Sequence, residues 1–187
     1  MSEPNLDVTT VRRLPEDVID IFWPIYRASF EPLTVRAAAR HLLSREEFEE
    51  DMRDERILKF LVQDGGRIVG MTTMTTDLDA VPWISPEYYR HHYPEHAARG
   101  AIYYFGYALV GPDHRRNRVF VAMLDSMLAL LLENRAIAAY DVSRYNDETV
   151  KLAERLFIRA RQTSEVTVDV ADVQTYYAAT FHGPRSD

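Results

Sequence analysis

Residues 110–128 read VGPDHRRNRVFVAMLDSML, and this stretch decides the fold. The β-like run before it, AIYYFGYALV at 101–110, is rich in Tyr, Phe and Ile and ends just ahead of Pro112, which cannot donate to a ladder. A basic loop follows. Apolar residues then recur at helical spacing, as Val119, Phe120, Met123, Leu124, Met127, Leu128, Leu131 and Leu132, which predicts a helix from Arg115 to Arg135. Strand, basic loop and helix N-terminus together suit an anion, because unpaired backbone N–H groups and the positive end of the helix dipole converge there. Arg115, Arg116 and Arg118, with Asn117 between them, supply charge and donors suited to phosphate or carboxylate. The plainer alternative is three solvated arginines ahead of a helix.

Upstream, Val8 to Leu14 reads as a short strand. Pro15 opens a helix, with Glu16 and Asp17 in its first turn, and Pro24 is expected to kink or split it. Leu33 to Leu43 reads as a second helical piece. Ser44 followed by Glu47 is a capping box that starts a helix at Arg45, running to about Asp54. The acidic run Glu46, Glu47, Glu49, Glu50 and Asp51 reads as its solvated face. Ile57 to Gln63, the turn Asp64-Gly65-Gly66, and Arg67 to Thr76 form a hairpin. Asp77 to Gly100 is a long insertion holding Pro82, Pro86 and Pro94. Downstream, Ala136 to Val142 is a short buried strand, Asn146 to Arg161 an amphipathic helix, and Val166 to Val170 and Val173 to Phe181 two closing strands. The expected fold class is α/β, one domain over 1–187, with a mixed, mostly antiparallel sheet flanked by helices.

Composition narrows the function. With 47% hydrophobic and 27% charged residues, the 187-residue chain can bury one core and remain soluble. Lys and Arg number 22 against 29 Asp and Glu, and the net charge of −7 argues against a nucleic-acid partner. Having no cysteine excludes thiolate zinc sites and a cysteine nucleophile. The opening MSEPNLDVTT lacks the basic and apolar regions of a signal peptide, so a cytoplasmic protein with no membrane partner is expected. In the insertion, His91, His92, Glu95 and His96 bring metal ligands to mind. Pro94 breaks the helical pairing of His92 with His96, however, and no metal is expected.

The order of elements resembles the GNAT superfamily of CoA-dependent N-acyltransferases. Four segments carry the resemblance: RIVGMTTM as the second hairpin strand; VGPDHRRNRVFVAMLDSML as the signature strand, loop and helix; the buried AIAAYDV; and NDETVKLAERLFI as an Asn-x-x-Ala helix. It spans roughly residues 8 to 181. In that family the loop wraps the CoA pyrophosphate, and Arg115 matches its first basic residue. The two glycine positions fall on Arg118 and Phe120. The family's frequent tyrosine acid falls on Ala153, and a following glycine on Phe157.

The resemblance implies an acyl-CoA or phosphopantetheine thioester as co-substrate. The donor sites would be Leu109, Val110, Arg115, Arg116, Asn117, Arg118, Val119 and Phe120. Altered glycine positions make an acyl carrier protein a credible donor, its acidic surface meeting the arginines. The catalytic candidates are Tyr104, Tyr103, Glu95, Tyr145 and Asn146. Tyr103 and Tyr104 occupy the strand where the family keeps its base, and Gly106 marks the expected bulge. Glu95, or a histidine of the insertion, is a base for an incoming amine, and Asn146 also suits an N-cap. Trp83, Tyr88, Tyr89, His92 and Tyr107 are the acceptor-side candidates, in an amphipathic segment that equally suits a lid or a homodimer interface. The expected activity is acyl transfer to the amine of a small molecule. The alternative is a GNAT-like ligand- or partner-binding module without that activity, or one turned to other thioester chemistry.

Overall fold

A computed structural model describes residues 6–40, 42–112 and 116–180. β1 (Leu6–Val11) leads into α1 (Glu16–Phe30), and Pro15 stands just outside the helix as its N-cap. Pro24 does not split α1. Val18, Ile19, Phe22 and Tyr26 are buried on both sides of it, and packing of that stripe carries the helix across the missing N–H. The expected helix at Leu33 to Leu43 is instead a 3-10 turn, Glu31–Val35, followed by irregular chain. Among the residues of that turn Leu33 alone is buried, so good helix formers there lack an apolar face to dock.

α2 (Arg45–Arg53) carries the expected capping box: Glu47 N–H donates to Ser44 Oγ at 3.2 Å, and Ser44 N–H to Glu47 Oε2 at 2.6 Å. Phe48 and Met52 anchor it in the core.

The sheet has five strands in the order β1-β2-β3-β4-β5. β2 (Ile57–Asp64) and β3 (Arg67–Thr75) form the predicted hairpin. Gly65 and Gly66 close it at φ values of 57° and 83°, the positive pair that a tight two-residue turn requires. β4 (Ile102–Val110) is antiparallel to β3, and β5 (Ile137–Ala139) is parallel to β4. A parallel neighbour needs a crossover, and α5 (Arg116–Glu133) provides it. α1 and α2 cover one face of the sheet through Phe22, Tyr26 and Phe48. α5 covers the other through Val119, Met123, Met127 and Leu131. Gly70 permits the close approach of α5: a Cβ there would stand 2.4 Å from Val119 Cγ1.

The insertion folds into a short 3-10 turn and two helices, α3 (Pro86–His92) and α4 (Pro94–Ala98), broken at Tyr93 ahead of the proline. It packs Ile84, Tyr89 and Tyr93 against Leu78, Val81 and Tyr104. Beyond β5 the expected single helix is two, α6 (Arg144–Val150) and α7 (Leu152–Arg161), separated by Lys151 at φ 53°. Residues 165–180 form neither of the two expected closing strands, and Phe181 lies outside the described residues. Val170, Val173 and Tyr177 are largely exposed there. A β pattern needs a partner strand to become a strand, and β5 is too short to offer one.

Candidate active site

The site grows from an irregularity in β4. The register pairs Thr72 with Ala108 and Met74 with Phe105, so Gly106 and Tyr107 together oppose the single Thr73. This is a β-bulge, at the glycine the sequence marks for one. A Cβ on Gly106 would fall 2.3 Å from Thr73 Oγ1, and that oxygen accepts from the Tyr107 N–H at 3.2 Å. The extra residue shifts the alternation of side chains. Tyr103 and Phe105 face α5. Past the bulge, Tyr107 and Leu109 face α1 and α2, as Tyr104 faces the insertion.

A small cleft opens at the bulge, its wall including Asp51, Thr73, Trp83, Tyr104, Gly106 and Tyr107. Trp83 Nε1 and Tyr104 Oη both donate to Asp141 Oδ1, at 3.2 Å and 2.5 Å. Burial, and then that bond to Asp141, push the Tyr104 hydroxyl far above its ordinary range. It is therefore a neutral donor and not a base. The Tyr107 hydroxyl is buried with no hydrogen-bond partner among the described residues, and burial likewise raises its pKa. Asp51 closes the cleft from α2, and burial lifts its carboxyl to about 6 against the pull of Lys59.

On the far side of β4 lies a splay. Pairing with β5 ends at Tyr104 opposite Ala139, while β4 runs on to Val110. The Gly111 N–H donates to Val69 O at 2.9 Å, and Val110 stands opposite Gly70. Antiparallel bonding alternates, so Leu109 turns its backbone groups toward β3, and Ala108 and Val110 turn theirs to the side that β5 has left. α5 begins at the end of this edge, with Arg118 exposed in its first turn.

The predicted residues therefore separate. Trp83, Tyr104 and Tyr107 meet in the cleft. Tyr89 packs behind Tyr104, their ring centroids 6.2 Å apart. Tyr103 is buried on the opposite face among Phe60, Met74 and Met127. Tyr88 donates its hydroxyl to Ala171 O at 2.6 Å and stacks on His92, and Glu95 is exposed on α4. Tyr145 accepts from Arg36 at 2.8 Å. Asn146 sits one turn into α6, and Ser143 is the N-cap in its place. Val119 and Phe120 pack inward, which leaves their backbone for any ligand. Arg116 and Asn117 open α5, and Arg115 lies outside the described residues. Sequence reading missed Asp51 and Asp141. Asp51 had a signal: it stands three residues after the buried Phe48, one turn along the same side of the helix.

No family model matches this sequence, and no curated protein matches it. Solved structures do. A ribosomal-protein-alanine N-acetyltransferase from Brucella melitensis biovar Abortus 2308 superposes with a TM-score of 0.53 at 15% identity, covering 92% of this chain and 99% of that one. The aminoglycoside 6'-N-acetyltransferase AAC(6')-Ih from Acinetobacter baumannii gives 0.52 at 9% identity, covering 95% and 99%. The aminoglycoside N-acetyltransferase AAC(6')-Iy, in complex with CoA, gives 0.51 at 12% identity, covering 93% and 97%. The chain has the GNAT fold. The GNAT likeness extends over most of the chain, and at these identities it is a likeness of fold. Among the described residues no helix is long and apolar enough to cross a membrane.

Proposed function

We propose that this GNAT-fold chain is an N-acyltransferase that moves an acyl group from a pantetheine thioester, of acyl-CoA or of an acyl carrier protein, to an amine of a small molecule. The supporting observation is the adjacency of two openings on one strand: the free edge of β4 at Ala108 and Val110, and the cleft at the bulge of Gly106 and Tyr107. A pantetheine arm extended along the free edge meets backbone N–H and C=O groups as a strand would. An N–H of that edge polarises the thioester carbonyl. The amine nitrogen attacks that carbonyl from the cleft; the C–N bond forms, the C–S bond breaks, the thiol leaves and the amine gives up a proton. Much of the acceleration comes from holding the two reactants together.

Tyr104 and Trp83 serve as positioning residues through Asp141, fixing the insertion over the end of β5. Arg118, exposed in the first turn of α5, meets the donor's phosphate or an acidic carrier surface in this reading.

Thermal-shift titration with CoA, acetyl-CoA and phosphopantetheine, joined to a thiol-release assay over a panel of amines, tests the reading. The expected result is stabilisation by pantetheine compounds, and thiol release that needs an amine. Stabilisation without release under any amine favours the binding-module alternative. No stabilisation by any of the three compounds overturns the donor assignment.

A further inference from the structure

The splay between β4 and β5 has a closed end. The last rung of their ladder pairs Tyr104 with Ala139, and Phe105 and Tyr140 are the next residues along the two chains. Their rings stack across the gap, 12° from parallel with centroids 6.1 Å apart. Phe105 lies on the face that α5 covers, opposite to Tyr104 and Ala139, and the stack holds Tyr140 on that same face. The two rings are not equally fixed. Phe105 packs against the buried cluster of Phe60, Met74 and Met127, which leaves it no room to swing aside. Tyr140 is half-buried, just beyond the end of β5.

A linear group laid along the free edge of β4 runs toward this closed end. At the last rung the hydrogen bonds between the two strands fill the plane of the sheet, so anything longer must turn to one face or the other. On one face stand Tyr104, its hydroxyl tied to Asp141, and the small cleft at the bulge. On the other stand the stacked rings of Phe105 and Tyr140.

We propose that the Phe105–Tyr140 stack sets the length of the acyl group that the donor carries, admitting a short one and excluding a chain of medium length. The inference rests on the acyltransferase reading and adds a specificity determinant to it. With the thioester carbonyl held at the β4 edge, a short tail stops before the rings. A longer tail runs into them, and enters only if Tyr140 leaves its place against Phe105.

The test uses the full chain and reads binding alone, by calorimetry with CoA, acetyl-CoA, butyryl-CoA and hexanoyl-CoA. Each variant's affinities are referred to its own affinity for CoA, which carries no acyl group, so a general loss of donor binding cancels. An open channel rewards every added CH2, and affinity then rises with length. The stack is expected to reverse that order, with hexanoyl-CoA bound at least about tenfold more weakly than acetyl-CoA. Tyr140→Ala removes one ring and leaves the cluster around Phe105 in place; it is expected to raise hexanoyl-CoA binding about tenfold relative to acetyl-CoA. Tyr140→Phe keeps the ring and keeps the limit. Phe105→Leu, which leaves the cluster apolar, relaxes the limit in the same direction as Tyr140→Ala. Hexanoyl-CoA bound by the unaltered chain as tightly as acetyl-CoA overturns the gate and leaves the donor reading standing. A length order that Tyr140→Ala and Phe105→Leu both leave unchanged does the same. If CoA itself and all three acyl-CoAs fail to bind the unaltered chain, the CoA donor reading falls and the gate falls with it.

Discussion

Asp51 carries its charge against the interest of the fold. Burial raises its carboxyl from 3.8 to about 6, so between those pH values the folded protein holds a proton that the unfolded chain has released. Stability from this group is therefore greatest at low pH and is lost as pH rises through that window. At neutral pH the ionised, unpaired carboxylate is a net burden. Asp51→Asn is expected to raise the unfolding free energy at neutral pH by about 1–2 kcal/mol, with the gain vanishing below pH 4 or so. Urea unfolding at both pH values checks this, and an equal effect at the two would show that the charge is not the cause. In the sequence Asp51 ends the acidic run Glu46, Glu47, Glu49 and Glu50 and reads with it as a solvated face. Its place one turn after Phe48 is visible in the spacing, but what lies opposite that side of the helix belongs to β4 and is set by packing. Tyr103 and Tyr104 show the same limit. Alternation puts them on opposite faces, and only the finished sheet tells which face meets a cleft and which meets α5.

Elements with a local cause were legible. The capping box at Ser44 and Glu47 and the Gly65-Gly66 turn are written in adjacent residues, and both form. Elements that need a distant partner were not. The segment at 165–180 has strand-like chemistry and no strand beside it. The break between α6 and α7 has no glycine or proline to announce it: Lys151 takes a left-handed conformation that costs a non-glycine residue about 1–2 kcal/mol. Its side chain reaches Glu154 at 3.5 Å, an exposed pair worth little. Lys151→Gly is therefore expected to stabilise the protein by about 0.5–1 kcal/mol, the relief of strain exceeding the added freedom of the unfolded chain. Chemical denaturation measures it. A loss of stability would mean that the two helices interconvert with one continuous helix in which glycine is unwelcome.

Over the whole molecule, the fold class followed from the order of periodicities, and the five-strand sheet agrees with it. A net charge of −7 also favours the approach of cations over anions to the molecule as a whole. The strand order has a kinetic consequence. Neighbours in the sheet are neighbours in the chain, yet β2 and β3 alone are joined by a two-residue turn; β1 meets β2 across α1 and α2, β3 meets β4 across the insertion, and β4 meets β5 across α5. Closing longer loops costs more entropy before any contact rewards it. The hairpin is then the natural nucleus and β5 the last strand to arrive. Stopped-flow folding should give φ of about 0.5–0.8 for Val62→Ala in β2 and about 0–0.3 for Ile137→Ala in β5. The reverse order would place the nucleus in the crossover. A strand that joins after the barrier is also the first to leave, so the opening beside β4 sits where the molecule unfolds most readily, and whatever occupies that edge acts as a brake on unfolding.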